Sequence, residues 1–346
     1  MKSTPLALAA AALAIAASQP AFALRCGDVL YQSVTLSGDV VCAPDEYGLV
    51  VAASGVRVDL NGFKISGSPA SVGFTVGIMA VNLSGVEIVG PGTIQDFTYA
   101  ITLNEGGKHR VSGVKIVRGG VLLSNVRDSV VERSELPHVH VGTRFGGKAY
   151  YNRIVDNEFH ATAPPNPLQF YVPPIEIAGC GTEKNLVTGN RMSPPPPTLG
   201  PGFSIMVYGG ASNNVVSHNT FTRSVFIGNG ANGNEVAKNV ITVDAQSSFA
   251  GVEIASGNLP CTGGGWMGSS NNRVIENEIN QGTFGVAVRS LPGASSSNNK
   301  IQGNTISGPL NAGLAFSFGS DNNDARQNRI NAPVHAIDYG TGNLWP

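Results

Sequence analysis

Asn213–Phe221 reads NNVVSHNTF, and inside it lies a frame of Asn, any residue, an apolar residue, two residues, Asn, any residue and a second apolar residue. The frame recurs at Asn152–Phe159 (NRIVDNEF), Asn185–Met192 (NLVTGNRM) and Asn234–Ile241 (NEVAKNVI). It returns at Asn272–Ile279 (NRVIENEI), Asn299–Ile306 (NKIQGNTI) and Asn323–Ile330 (NDARQNRI). Most intervals between the second asparagines, at positions 157, 190, 219, 239, 277, 304 and 328, fall in the roughly 20–50-residue range of stacked repeats. Upstream, from Gly48, the chain carries short β-rich runs such as VRVDLNGFKISG, GIMAVNLSGVEIVG and AITLNEGGKHRVSGVKIV between Gly and Asn turns. Their apolar residues alternate with period 2 and show no helical stripe. Strands this short and regular suit parallel stacking, with an inner apolar column and each Asn above the next at a bend. Asn fits a bend because it tolerates left-handed backbone angles and bonds its own backbone or the neighbouring coil.

This pattern, with VRVDLNGFKISG at Val56–Gly67, resembles the right-handed parallel β-helix proteins of the pectate-lyase-like group. It is also similar to the carbohydrate-binding and sugar-hydrolase repeats of exported bacterial proteins. The resemblance covers nearly the whole chain after its first residues and implies an all-β solenoid. It does not specify a reaction, because that group holds lyases, hydrolases, epimerases, adhesins and non-enzymatic proteins. About eleven coils at ~4.8 Å each predict a rod on the order of 50 Å long.

The first 23 residues read as an export signal: Lys2, an apolar run over Leu6–Ala17, and Ala21-Phe22-Ala23 as the cleavage site. The run is shorter than the ~20 residues of a membrane span, and no later segment reads as one. A secreted or periplasmic location follows. Residues 24–47 read as an N-terminal cap, with Cys26 and Cys42 bridged, and residues 48–346 as the β-helix. Four cysteines in an exported chain imply two disulfides, with three connectivities possible; with Cys26–Cys42 bridged, Cys180 and Cys261 form the expected second pair. That bond would fold the Cys261 loop back along the rod over Tyr208 and Phe226.

Charged residues make up 13% of the chain, against about 25% in ordinary domains, and net charge is −1. Neither nucleic acid nor anionic lipid is an expected partner. Two proline-rich segments, Ala163–Pro174 (APPNPLQFYVPP) and Ser193–Gly202 (SPPPPTLGPG), follow consecutive Asn frames. Proline cannot extend a strand ladder, so both leave the stack at the same corner. Ser256–Ser270 departs from a different one.

The strand after each Asn frame is the place to look for chemistry. These strands read Val139-His140-Val141-Gly142, Ile175-Glu176-Ile177-Ala178, Ile205-Met206-Val207-Tyr208, Val225-Phe226-Ile227-Gly228, Val252-Glu253-Ile254-Ala255 and Val286-Ala287-Val288-Arg289. First and third positions are apolar and point inward; second and fourth are expected to face solvent. Stacking puts His140, Glu176, Met206, Phe226 and Glu253 in one column, with Tyr208 and Arg289 in the next. A carboxylate beside an imidazole raises its pKa and orients it, as a general acid or base requires, although an ordinary cross-strand pair looks the same. His138 precedes the strand and reads only as its flank.

An acidic polysaccharide is the expected partner, through lyase or epimerase chemistry. His140 would be base or acid, Glu176 its orienter, Arg144 the neutraliser of a uronate, and Lys148 or Tyr208 a helper in proton transfer. Glu253, Arg289, Phe226, Met206 and Trp266 would line the groove. The alternative is a non-catalytic glycan- or partner-binding rod. Leu136-Pro137-His138 faintly resembles the Asp-Pro-His motif of mannuronan epimerases, but both flanking acids are missing and the role is not carried over. The paired aspartates of polygalacturonases and the Arg-x-Pro-x-x-Arg signature of pectate lyases are absent. No cofactor motif is present; calcium held by carboxylates on separate coils would leave no linear signature.

Overall fold

The computed structural model describes residues 23–346 except 70, 72, 144–146, 161–172, 195–201, 245–248 and 260–263. The chain winds into a right-handed parallel β-helix whose three sheets hold 13, 11 and 12 strands. Each strand bonds the corresponding strand of the coils before and after it. Thirteen strands make twelve steps, so the first sheet runs roughly 58 Å along the axis, somewhat longer than eleven coils would give. Two strands, Val76–Ser84 and Tyr99–Gly107, are nine residues long and exceed the expected length.

The inward positions stack as the alternation requires. Val139, Ile175, Ile205, Val225, Val252 and Val286 form one column, each at most 1% exposed. Branched side chains pack above one another on a pleated surface, and this column continues the core.

Residues 24–47 themselves build the first coil: Val29–Leu30, Val34–Thr35 and Val40–Val41 pair with Leu49–Val51, Arg57–Asp59 and Lys64–Ser66 in the three sheets. Cys26 and Cys42, 16 residues apart with Cα atoms 5.5 Å from each other, are disulfide-bonded around it. Cys180 is disulfide-bonded too, whereas Cys261 lies outside the described residues, as does the expected export signal up to Phe22.

The asparagines form two ladders. One runs through Asn152, Asn185, Asn214, Asn234, Asn272, Asn299, Asn323 and Asn343; each donates its side-chain amide to the carbonyl oxygen of the next. The other runs through Asn157, Asn190, Asn219, Asn239, Asn277, Asn304 and Asn328. Asn219 is representative: its amide donates to Asn239 Oδ1, Val187 O and Ser217 O, and its own Oδ1 accepts from the backbone and side chain of Asn190, all at 2.9–3.0 Å. Toward the N-terminus the same places hold Ser129, Ser134 and His109. Asn152 Oδ1 accepts from Ser129 N, Ser129 Oγ from His109 N, and His109 Nδ1 from Val86 N.

Of the two reasons expected for asparagine at the bend, the bonding to the neighbouring coil is present in both ladders, and the left-handed backbone angle needs correction. The left-handed angles belong to the residues before each ladder Asn, such as Asp156 (φ 54°), His218 (φ 57°), Lys238 (φ 56°) and Glu276 (φ 54°), and not to the ladder asparagines; before Asn214, Asn272, Asn299 and Asn323 that residue is itself an asparagine. The ladder residues are selected by their side-chain hydrogen bonds. Those bonds hold a bend that costs each non-glycine neighbour about 1–2 kcal/mol.

The proline segments fall between Glu158–Phe159 and Ile175–Ala178, and between Arg191–Met192 and Phe203–Tyr208. Both are crossings from the third sheet to the first, the expected shared corner. Their centres lie outside the described residues. The third insertion follows Val252–Ala255 at the opposite edge of the first sheet and contains an antiparallel hairpin of Gly257–Leu259 with Gly265–Met267.

Candidate functional site on the first sheet

The outward column of the first sheet has the expected register: His140, Glu176, Met206, Phe226 and Glu253 are successive Cα partners. His140 Nδ1 lies 3.5 Å from Glu176 Oε2, and both side chains are largely buried. Tyr208 sits opposite Ala178 and not opposite Glu176. Its hydroxyl nevertheless donates to Glu176 Oε1, so the ring crosses the ladder diagonally over the small Ala178. One carboxylate thus joins a phenol on one coil to an imidazole two coils away.

Two further groups complete the cluster. His138 lies over Gly120, whose missing side chain is the space that the imidazole fills. Its ring meets Tyr99 edge-on, with centroids 5.9 Å apart. Burial, and then the neighbouring His140, lower the His138 pKa from 6.5 to about 4, so it is neutral near pH 7. Burial and the charge of Glu176 raise the Tyr99 phenol above its ordinary value. Tyr99 went unnoticed in the sequence, and His138 was read as a flank. Counting the register back to the glycine column before the strand would have found both.

Toward the other end, Phe226 folds down over Gly228, which again supplies the space by having no side chain. Phe203 packs against it at 5.1 Å between centroids and against Phe249 at 4.7 Å. Next in the column, Glu253 is 7% exposed. Arg289 Nε approaches Glu253 Oε1 to 3.6 Å, while Oε2 has no hydrogen-bond partner among the described residues. Burial raises the Glu253 pKa, and Arg289 only partly offsets this.

The expectation that second and fourth positions face solvent is therefore wrong for several residues. Tyr208 is 3% exposed, Ala178 0% and Glu253 7%. Long side chains lie down across small neighbours on this face instead of standing away from it. Trp266 is 57% exposed on the hairpin, and Lys148 is exposed at the corner with its stem over Gly181. Arg144 lies outside the described residues. Among the described residues no three His, Cys, Asp or Glu side chains converge as metal ligands, and no helix is long and apolar enough to cross a membrane.

No family model matches the chain, and no curated protein matches it in sequence. Solved structures do. The chain is similar to the A-module of the Azotobacter vinelandii mannuronan C-5 epimerase AlgE6, with TM-score 0.56 and 13% identity over 93% of this chain and 90% of that one. It is also similar to the Dettilon tailspike protein, with TM-score 0.58 and 12% identity over 89% of this chain and 62% of that one. At these identities the likeness is one of fold: both the chain and its neighbours are parallel β-helices.

Proposed function

We propose that this protein processes an acidic polysaccharide as a lyase or epimerase, with Tyr208, Glu176 and His140 at the reacting sugar. The observation that carries the reading is a largely buried carboxylate bonded by a phenol and faced by an imidazole. Uronate chemistry begins with removal of the proton beside the sugar carboxylate. That step needs a base on one side and an acid on another. In elimination, the base takes this proton, a carbon–carbon double bond forms and the glycosidic C–O bond breaks, with the leaving oxygen protonated by the acid. In epimerisation the proton is instead replaced on the opposite face. His140 and Tyr208, held on either side of Glu176, are the pair for these transfers. Glu176 orients both, and neutral His138 and Tyr99 close the end of the cluster. Arg144 would neutralise the uronate and Lys148 would assist from the corner.

A two-carboxylate hydrolase fits less well. Glu176 and Glu253 are three coil steps apart, roughly 14 Å along the sheet, against roughly 5–9.5 Å for glycosidase pairs. A fold shared with an epimerase of uronate polymer and with a tailspike supports a glycan partner. The Cys26–Cys42 disulfide supports export to an oxidising compartment.

Incubation with a panel of uronate polysaccharides tests the reading, following unsaturated-product absorbance for elimination and proton NMR for epimerisation. Product from the wild type and none from His140→Ala is the expected result. Binding without product would favour the non-catalytic reading, a glycan-recognising rod.

A further inference from the structure

The Tyr208–Glu176 arrangement occurs a second time. Ile175-Glu176-Ile177-Ala178 and Val252-Glu253-Ile254-Ala255 are matching strands, and in each case the fourth residue of the next coil reaches back over the alanine to the glutamate. On the first it is Tyr208 over Ala178. On the second it is Arg289 over Ala255, with Nε 3.6 Å from Glu253 Oε1. The duplicate keeps the carboxylate and replaces the proton-carrying phenol with a fixed positive charge.

We propose that Glu253 and Arg289, beside the ring of Phe226, form a second subsite that holds an acidic sugar residue three coils from the reacting one. This rests on the polysaccharide reading above. Glu253 belongs to the outward column, its side chain is 9% exposed, and its buried Oε2 has no hydrogen-bond partner among the described residues. A buried acceptor without a donor is destabilising, and a sugar hydroxyl supplies that donor. Arg289 is half-exposed and uses Nε toward Glu253, so its two terminal nitrogens suit a uronate carboxylate. Phe226, the Cα partner of Glu253 on the preceding coil, offers a ring face to the sugar's C–H surface. The subsite is not a second reacting centre, because arginine stays protonated and moves no proton at neutral pH.

The test is equilibrium binding in the His140→Ala background, where turnover does not confuse affinity. The probes are short oligomers of alginate and polygalacturonate, with dextran oligomers as the neutral control and circular dichroism as the fold check. Arg289→Gln is expected to weaken binding of the acidic oligomers about tenfold or more, the loss of one charge-assisted contact. Dextran binding should stay within twofold. Glu253→Ala is expected to weaken acidic oligomers as well, whereas Glu253→Gln, which still accepts from a hydroxyl, should recover most of that loss. Folded Arg289→Gln and Glu253→Ala variants that bind every probe like their parent would overturn the subsite, even if the wild type turns over uronate polymer. Weakened binding by Arg289→Gln in a protein whose wild type yields no product would sustain the subsite and sink the catalytic reading. No binding of any acidic oligomer to the parent would overturn both.

Discussion

Tyr208 donates its phenolic hydrogen to Glu176 one coil back, crossing Ala178 on the way. A residue that alternation alone would aim at solvent is thereby buried against the carboxylate that also faces His140. Tyr208→Phe keeps the ring and removes only the hydroxyl. Turnover of uronate polymer is expected to fall about 100-fold or more, the usual weight of one proton-transfer group, with the thermal midpoint little changed. Activity within twofold of wild type would remove Tyr208 from the proton path.

His138 makes stability depend on pH. Its pKa is about 4 in the folded protein and near 6.5 unfolded, so between these values the unfolded chain binds a proton that the folded one does not. Its contribution is fully present above about pH 6.5 and is lost as pH falls toward 4, reaching about 3 kcal/mol. Burial lowers His109 and His160 as well, with the same sign. Denaturant unfolding at pH 7 and pH 5 should show wild type losing more than His138→Gln; equal losses would place the acid sensitivity elsewhere.

Asn219→Ala removes three donated and two accepted contacts from the middle of a ladder. Unfolding should become easier by about 3 kcal/mol, because the partners left behind are buried. Uronate turnover measured well below the new midpoint should be unaffected. A variant that loses activity and keeps stability would contradict a purely structural ladder.

His218 is exposed and holds φ 57° immediately before Asn219. Glycine adopts that angle freely, so His218→Gly is expected to stabilise by up to about 1 kcal/mol, and His218→Val, whose branched side chain resists it, to destabilise. Calorimetric midpoints moving in the reverse order would show that the bend is not strained.

The Asn frames made the solenoid legible because one side chain performs the same bonding on every coil, which forces the residue to recur in the sequence. They also made His140 and Glu176 legible as neighbours, since counting from one frame to the next fixes the coil register. The bonding role of asparagine was legible but its backbone angle was misread, because φ belongs to Asp156 or His218 while the visible signal belongs to the residue that follows. His138 and Tyr99 were missed for a related reason. What joins them is the empty space at Gly120, on the coil between.

By itself the sequence determined period, register and which residues share a column, because backbone hydrogen bonds and an apolar interior allow one alternation only. Tertiary structure decided which way the outward side chains lie. Tyr208 bends toward Glu176 over Ala178, Arg289 toward Glu253 over Ala255, and His138 toward Tyr99 over Gly120. Each of these directions depends on a small residue from another coil, which becomes a neighbour only once the coils are stacked.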